Sequence, residues 1–163
     1  LQEDVVRRLM WASSLSPVQM RCRNLYINNG VEDTRGFHCD GRSLKFKTFL
    51  FLSDVKHLGD GPYCYVKRSH HDGAPWRQTC LFNQANNIDA CEFTQLKGSQ
   101  AIPMLADAGD MVISSQAGAH RGHPQAADGA RRVLVAMYSP KSDTKLSRFG
   151  RVNRSFRRWI TAW

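Results

Sequence analysis

His38 and Asp40, within the stretch GFHCDGRSLKFKTFLFLSD (residues 36–54), place an imidazole and a carboxylate two positions apart just ahead of a long apolar run. In extended chain, residues i and i+2 share a face, so both side chains can reach one point. Together they supply two thirds of a 2-His-1-carboxylate facial triad, the ligand set of non-heme Fe(II) oxygenases. The pair alone is weak: with six histidines in the chain, composition by itself yields about 0.4 such pairs, and a turn entering a strand is the plainer reading.

A facial triad needs one further histidine from elsewhere in the fold. His57 lies in a turn-like KHLGD, and His70 and His71 end the segment that starts at Tyr63. His120 and His123 follow AGDMVISSQAGAHRGHP, where a strand, a small-residue turn and a second strand can return a side chain to the first pair. An Fe(II) oxygenase with an oxo-diacid cosubstrate also needs a buried cation for the distal carboxylate. Arginine suits that role because its planar fork binds carboxylate bidentately and keeps its charge when desolvated. Arg131 stands eleven positions after His120 and opens RRVLVAMY, whereas eleven after His123 is Leu134, so His120 with Arg131 is the better pair.

The elements that must carry these residues are mostly strands. Residues 2–15 have the apolar periodicity of a helix, with Val5, Val6, Leu9, Met10 and Ala12 as its stripe. Strands are expected over residues 21–28, 44–52, 63–67, 102–105, 111–114 and 131–138, separated by NNG, GDGP and AGD. Short strands punctuated in this way predict an all-β sandwich or jelly roll. The polar stretch 84–100 is expected to be a long loop. Residues 145–163 form an amphipathic pattern, with Leu146, Phe149, Val152, Phe156, Trp159, Ile160 and Trp163 beside a basic stripe, and predict a C-terminal helix. Lys45 and Lys47 alternate with Leu44 and Phe46 and are expected on an outward, solvated face, with Cys39 turned into the core.

The ordered set FHCD, LKFKTFLFLSDV, GDGPYCYVKRSHH, AGDMVISSQAGAHRGHP and RRVLVAMY, spanning about residues 21–138, resembles the phytanoyl-CoA dioxygenase family of Fe(II)/2-oxoglutarate-dependent oxygenases. The resemblance implies a double-stranded β-helix (jelly roll, cupin-like) and an iron ion held by His38, Asp40 and His120. It implies Arg131 on the far carboxylate of 2-oxoglutarate, and Phe49 beside that cosubstrate. The activity it implies is hydroxylation of a small molecule with O2, giving succinate and CO2. KRSHH departs from the family's usual Pro-Gly-Ser-His-like ending, and the chain is shorter than typical members, as a domain trimmed at its N-terminus would be.

The remaining bounds are compositional. The 163 residues suit one domain and contain no apolar run near the roughly 20 that a membrane helix requires. Five cysteines, with no C-x-x-C, argue against a disulfide framework and a thiolate zinc site; a reducing, cytoplasmic setting is expected. The net charge of +9 is concentrated in residues 141–163, which offers polyanion binding as a competing function. The apolar face of that segment argues instead for packing with solvated charges, so nucleic acid is not an expected partner. A jelly-roll binding module without catalysis is the other alternative.

Overall fold

The computed structural model describes residues 3–41, 43–70, 81–89, 91–94, 96 and 100–141. The C-terminal pattern at 145–163 and His71 lie outside the described residues. Two compact units are present: the described parts of Leu1–Gln19 and Ser139–Trp163 form one, and Met20–Tyr138 the other.

In the first unit, α1 (Glu3–Ser14) carries Glu3 and Asp4 in its first turn, where they face the positive end of the helix dipole. Its buried residues are Val6, Met10 and Ser14, spaced by four; Val5, Leu9 and Ala12 are exposed, so the buried stripe is narrower than the sequence suggests. The helix stops at Leu15, whose φ of 52° is left-handed and whose amide bonds Trp11 O at 2.7 Å.

The second unit is mostly antiparallel β-structure. Strands β1 (Val18–Asn29), β7 (Ala130–Pro140), β2 (Phe46–Phe51) and β5 (Met111–Ser115) form one sheet in the order β1-β7-β2-β5, and β4 (Ala101–Met104), β3 (Tyr63–Val66) and β6 (His120–Gly122) form another in the order β4-β3-β6. All six strands expected from sequence are present, most shifted by one to three residues at their ends. Because β2 pairs on both sides, its register fixes a common face: Lys47 is opposite Ser114 and Met137, and Phe49 opposite Val112 and Val135. In the other sheet, Tyr63 is opposite Gly122 and Tyr65 opposite His120. Among the described residues, two apolar clusters are buried in the unit. One gathers Phe51, Val55 and Ala106 with Phe49, Met104 and Val112; the other gathers Phe37, Cys39, Cys64, Phe93 and Ala119.

The polar stretch 84–100 is not simply a loop. Residues 81–85 are helical, and residues 91–93 run beside residues 37–39, with Cys39 N on Cys91 O at 2.9 Å and Phe93 N on Phe37 O at 2.7 Å. Fully buried Asn83 ties the two parts together by donating to Asp89 O and Glu92 O at 2.8 and 2.6 Å. Among the described residues no helix is long and apolar enough to cross a membrane.

Candidate metal centre

Residues 37–40 are extended and bonded along both edges, which fixes the two leading side chains. His38 N donates to His120 O at 3.0 Å, His120 N returns a bond to His38 O at 2.9 Å, and Asp40 N donates to Gln116 O at 2.9 Å. Alternation then sends Phe37 and Cys39 into the apolar cluster, Cys39 being 1% exposed, and leaves His38 and Asp40 on the opposite face. Cys39 is therefore the core residue the sequence suggests, and burial pushes its thiol up to about 11.

His38, Asp40 and His120 converge, with one ligand atom from each lying within 4.8 Å of the others. The imidazole centroids are 4.5 Å apart and tilted by 54°. Each ring places Nδ1 on the carbonyl two residues earlier, Gly36 O at 2.8 Å for His38 and Gly118 O at 2.9 Å for His120. A carbonyl only accepts, so Nδ1 carries the proton and Nε2 presents its lone pair, the tautomer a metal requires. Asp40 Oδ1 lies 3.8 Å from both Nε2 atoms, a span two bonds of about 2.1 Å can bridge.

Electrostatics keep His120 and Asp40 in their ligating states. Burial pushes His120 down to about 4, helped by nearby His38 and opposed by the Gly118 bond and the Asp40 charge. His120 is thus neutral near pH 7, and its approach to Asp40 is not an ion pair. Burial works to raise the Asp40 carboxyl, but the hydrogen bond and charge of Lys47, together with the two histidines, outweigh it and hold the group below its ordinary value.

Lys47 corrects the sequence reading. It is not on an outward face: its Nζ lies 2.6 Å from Asp40 Oδ2, and its side chain lines a cavity of about 150 Å³ with His38, Phe49, Tyr63, His120 and Arg131. Lys45 also turns toward the centre, donating to Asp40 O at 3.3 Å. Period-two alternation separates two faces but not inside from outside when both are covered, and Phe46 and Thr48 on the other face are buried as well.

Arg131 lies at the start of β7 with Val133 and Val135 beyond it on the same cavity wall, while Arg132 is exposed. Its Nη1 donates to Gly61 O and its Nη2 to Asn28 Oδ1 at 3.3 Å, whereas its buried Nε has no partner. Burial lowers its pKa, and among the described residues no carboxylate pairs with it. Phe49 lines the same cavity, stacked on Tyr63 with centroids 4.2 Å apart. Sequence reasoning missed Tyr63. It is buried, its hydroxyl is 2.8 Å from Ser114 Oγ and accepts from Gln116 Nε2 at 3.4 Å, and burial raises its pKa so that it stays protonated.

The other described histidines stay apart. His123 Nδ1 is 2.8 Å from Pro124 O, His57 precedes the 3-10 turn Leu58–Asp60, and His70 is exposed near the Tyr65 hydroxyl. Ser69 serves the centre indirectly, since its Oγ accepts from Ala119 N at 2.7 Å beside His120.

No protein-family model matches the chain, and no curated protein sequence matches it. Solved structures do. The iron-bound structure of HygX from Streptomyces hygroscopicus matches with a TM-score of 0.65 at 16% identity, covering 85% of this chain and 65% of that one. HygX with nickel, 2-oxoglutarate and hygromycin B bound matches with a TM-score of 0.61 at 15% identity, over 83% and 61%. The nickel complex of the non-heme monooxygenase ThoJ matches with a TM-score of 0.58 at 17% identity, over 83% and 49%. The chain thus spans about half to two thirds of the length of these neighbours. At such identities the likeness establishes that this chain shares their β-rich fold.

Proposed function

We propose that the chain is an Fe(II)- and 2-oxoglutarate-dependent dioxygenase that hydroxylates a small molecule. The observation that carries this reading is one cavity lined both by the two histidines of the converging His38–Asp40–His120 set and by Arg131, whose buried Nε has no partner. The donor set suits Fe(II), and the orphaned Arg131 donor suits the far carboxylate of a diacid. Structures sharing the fold hold iron, or nickel with 2-oxoglutarate, which supports the same cofactors here, with O2 as oxidant.

Iron and 2-oxoglutarate, when bound, would supply the oxidising power, with one oxygen atom of O2 going to succinate, formed with release of CO2, and the other to a substrate C–H bond that becomes C–OH. The chain's own residues prepare for this. His38 Nε2, Asp40 Oδ1 and His120 Nε2 would hold the metal, and the Gly36 and Gly118 carbonyls orient the rings. Arg131 would anchor the cosubstrate's distal carboxylate, with Phe49 and Val135 forming an apolar wall that excludes water beside it. Retention of the Asp40 carboxylate favours hydroxylation over halogenation, which needs a small residue there to admit halide.

We further read the topology as a double-stranded β-helix of the phytanoyl-CoA dioxygenase type, residues 1–163 as one such domain, and its setting as cytoplasmic. The substrate is a small molecule, a class to which the hygromycin B held by HygX also belongs. Anaerobic titration with Fe(II) and 2-oxoglutarate tests the reading. A weak visible charge-transfer band should appear in the wild type and be absent in Asp40→Ala; its absence from folded wild type would refute the proposal.

A further inference from the structure

We infer that Lys47 is a positioning residue that holds Asp40 to single-oxygen coordination and so keeps the metal's remaining positions open for the cosubstrate and O2. This deepens, and rests on, the iron reading above.

The two oxygens of Asp40 are in different environments. Oδ1 faces both imidazoles, at 3.8 Å from each Nε2, whereas Oδ2 is taken by Lys47 Nζ at 2.6 Å. A carboxylate free at both oxygens can close on a metal as a chelate; one whose second oxygen carries a short charge-assisted hydrogen bond cannot do so without giving that bond up. The difference decides the coordination count. With Oδ1 alone, the protein would supply three donors, leaving the rest of a six-coordinate Fe(II) to the keto acid and O2. With both oxygens bound it would supply four, and the cosubstrate and O2 would compete.

The lysine is placed to enforce this. It stands in β2, which is paired on both sides, so its backbone is fixed against Ser114 and Met137. Lys45 holds the other end of the same residue through the Asp40 carbonyl, and Asp40 N is bonded to Gln116 O. Asp40 is therefore restrained at its amide, its carbonyl and its outer oxygen, leaving Oδ1 as the atom presented to the histidines. Among the described residues no other cation pairs with Asp40.

The inference predicts opposite signs for two affinities. Lys47→Met keeps the aliphatic stem but removes the bond and a positive charge near the metal. Ni(II) affinity should hold or tighten, because the carboxylate can chelate and a repulsive charge is gone. Affinity of the Ni(II)-loaded protein for 2-oxoglutarate should fall about ten- to a hundred-fold, the worth of one charge-assisted hydrogen bond. Lys47→Arg, which retains a cationic donor, should restore much of it. Difference infrared spectra on Ni(II) binding supply a signature that a merely structural role would not move. The gap between the two carboxylate stretches is wide for single-oxygen binding and should narrow in Lys47→Met.

The expected result is calorimetric splitting of the two affinities together with the narrowed gap. An unchanged infrared gap with weakened 2-oxoglutarate binding would make Lys47 a direct cosubstrate contact and overturn the inference. Loss of Ni(II) affinity in Lys47→Met, or no change in either affinity, would overturn it as well. Wild type that takes up no Ni(II) would bring down the metal reading itself, and this inference with it.

Discussion

Replacing Arg131 by leucine separates its proposed role from a structural one. The side chain is part-buried and makes two hydrogen bonds to neutral oxygens, Gly61 O and Asn28 Oδ1, which leave its charge unpaired. Such a cation gives the empty protein little stability, since burying it without a counter-charge is costly. Three of its five N–H donors are left for a ligand, including Nε. A carboxylate seated there gains hydrogen bonds worth about 1.5 to 3 kcal/mol each; two of them, discounted for the water that replaces them, give about 3 kcal/mol, on the order of a hundred-fold in Kd. Isothermal titration of 2-oxoglutarate into Ni(II)-loaded Arg131→Leu should therefore show at least this loss. Ni(II) affinity should be spared, because Arg131 is not among the three converging ligands. Thermal unfolding of the metal-free variant should match wild type or exceed it. Exposed Arg132 supplies the control: Arg132→Leu should bind 2-oxoglutarate normally. Unchanged affinity in Arg131→Leu, or loss confined to Arg132→Leu, would refute the reasoning.

Metal content of purified variants should collapse in His120→Ala and remain near wild type in His123→Ala, whose ring is turned to the Pro124 carbonyl; equal loss would refute the assignment. Gly118→Ala should weaken both Ni(II) binding and stability, because the added methyl would overlap the Tyr65 ring and its hydroxyl, displacing the carbonyl that orients His120. Metal-free protein should lose stability on acidification. His120 stays unprotonated down to about 4 when folded against an ordinary 6.5 when unfolded, so between those values only the unfolded chain takes the proton. That costs the folded state about 3 kcal/mol as pH falls through the window, with the depressed Asp40 adding loss at lower pH. Urea unfolding in the presence of chelator measures it, and a His120→Gln variant without a flatter profile would disprove the attribution.

Much of the fold was legible because its signals are local. Val, Ile and aromatic runs between Gly, Asn and Pro clusters marked six of the seven strands of the two sheets, the short β6 (HRG) having no such run, and His38, Asp40 and His120 converge. What stayed hidden depends on what covers a face. Lys47 shares its face with Phe49, but nothing in LKFKTF says that this face, rather than that of Phe46, looks into the cavity. Residues 91–93 were lost in a polar stretch, although Cys91 and Phe93 flank Glu92 with the alternation of a short extended segment. Tyr63 falls within GDGPYCYVKRSHH, but nothing in that segment marks it as a cavity residue. Its relation to Ser114, 51 positions away, arises only when the two sheets stack.

The reciprocal amide bonds between His38 and His120 also bear on how the protein is made. These two residues stand 82 positions apart, and their backbones meet in the folded structure, where His120 is also paired with Tyr65 of β3. In an unfolded chain His38 and Asp40 stay close together but His120 is remote, so the three-ligand set exists only once the sheets assemble. An ion held by all three would select the finished structure. Free metal at a hundred times its Kd would then add about 2.7 kcal/mol to the folded state alone. Metal supply during synthesis should accordingly raise the yield of intact protein by slowing its loss rather than by speeding its formation.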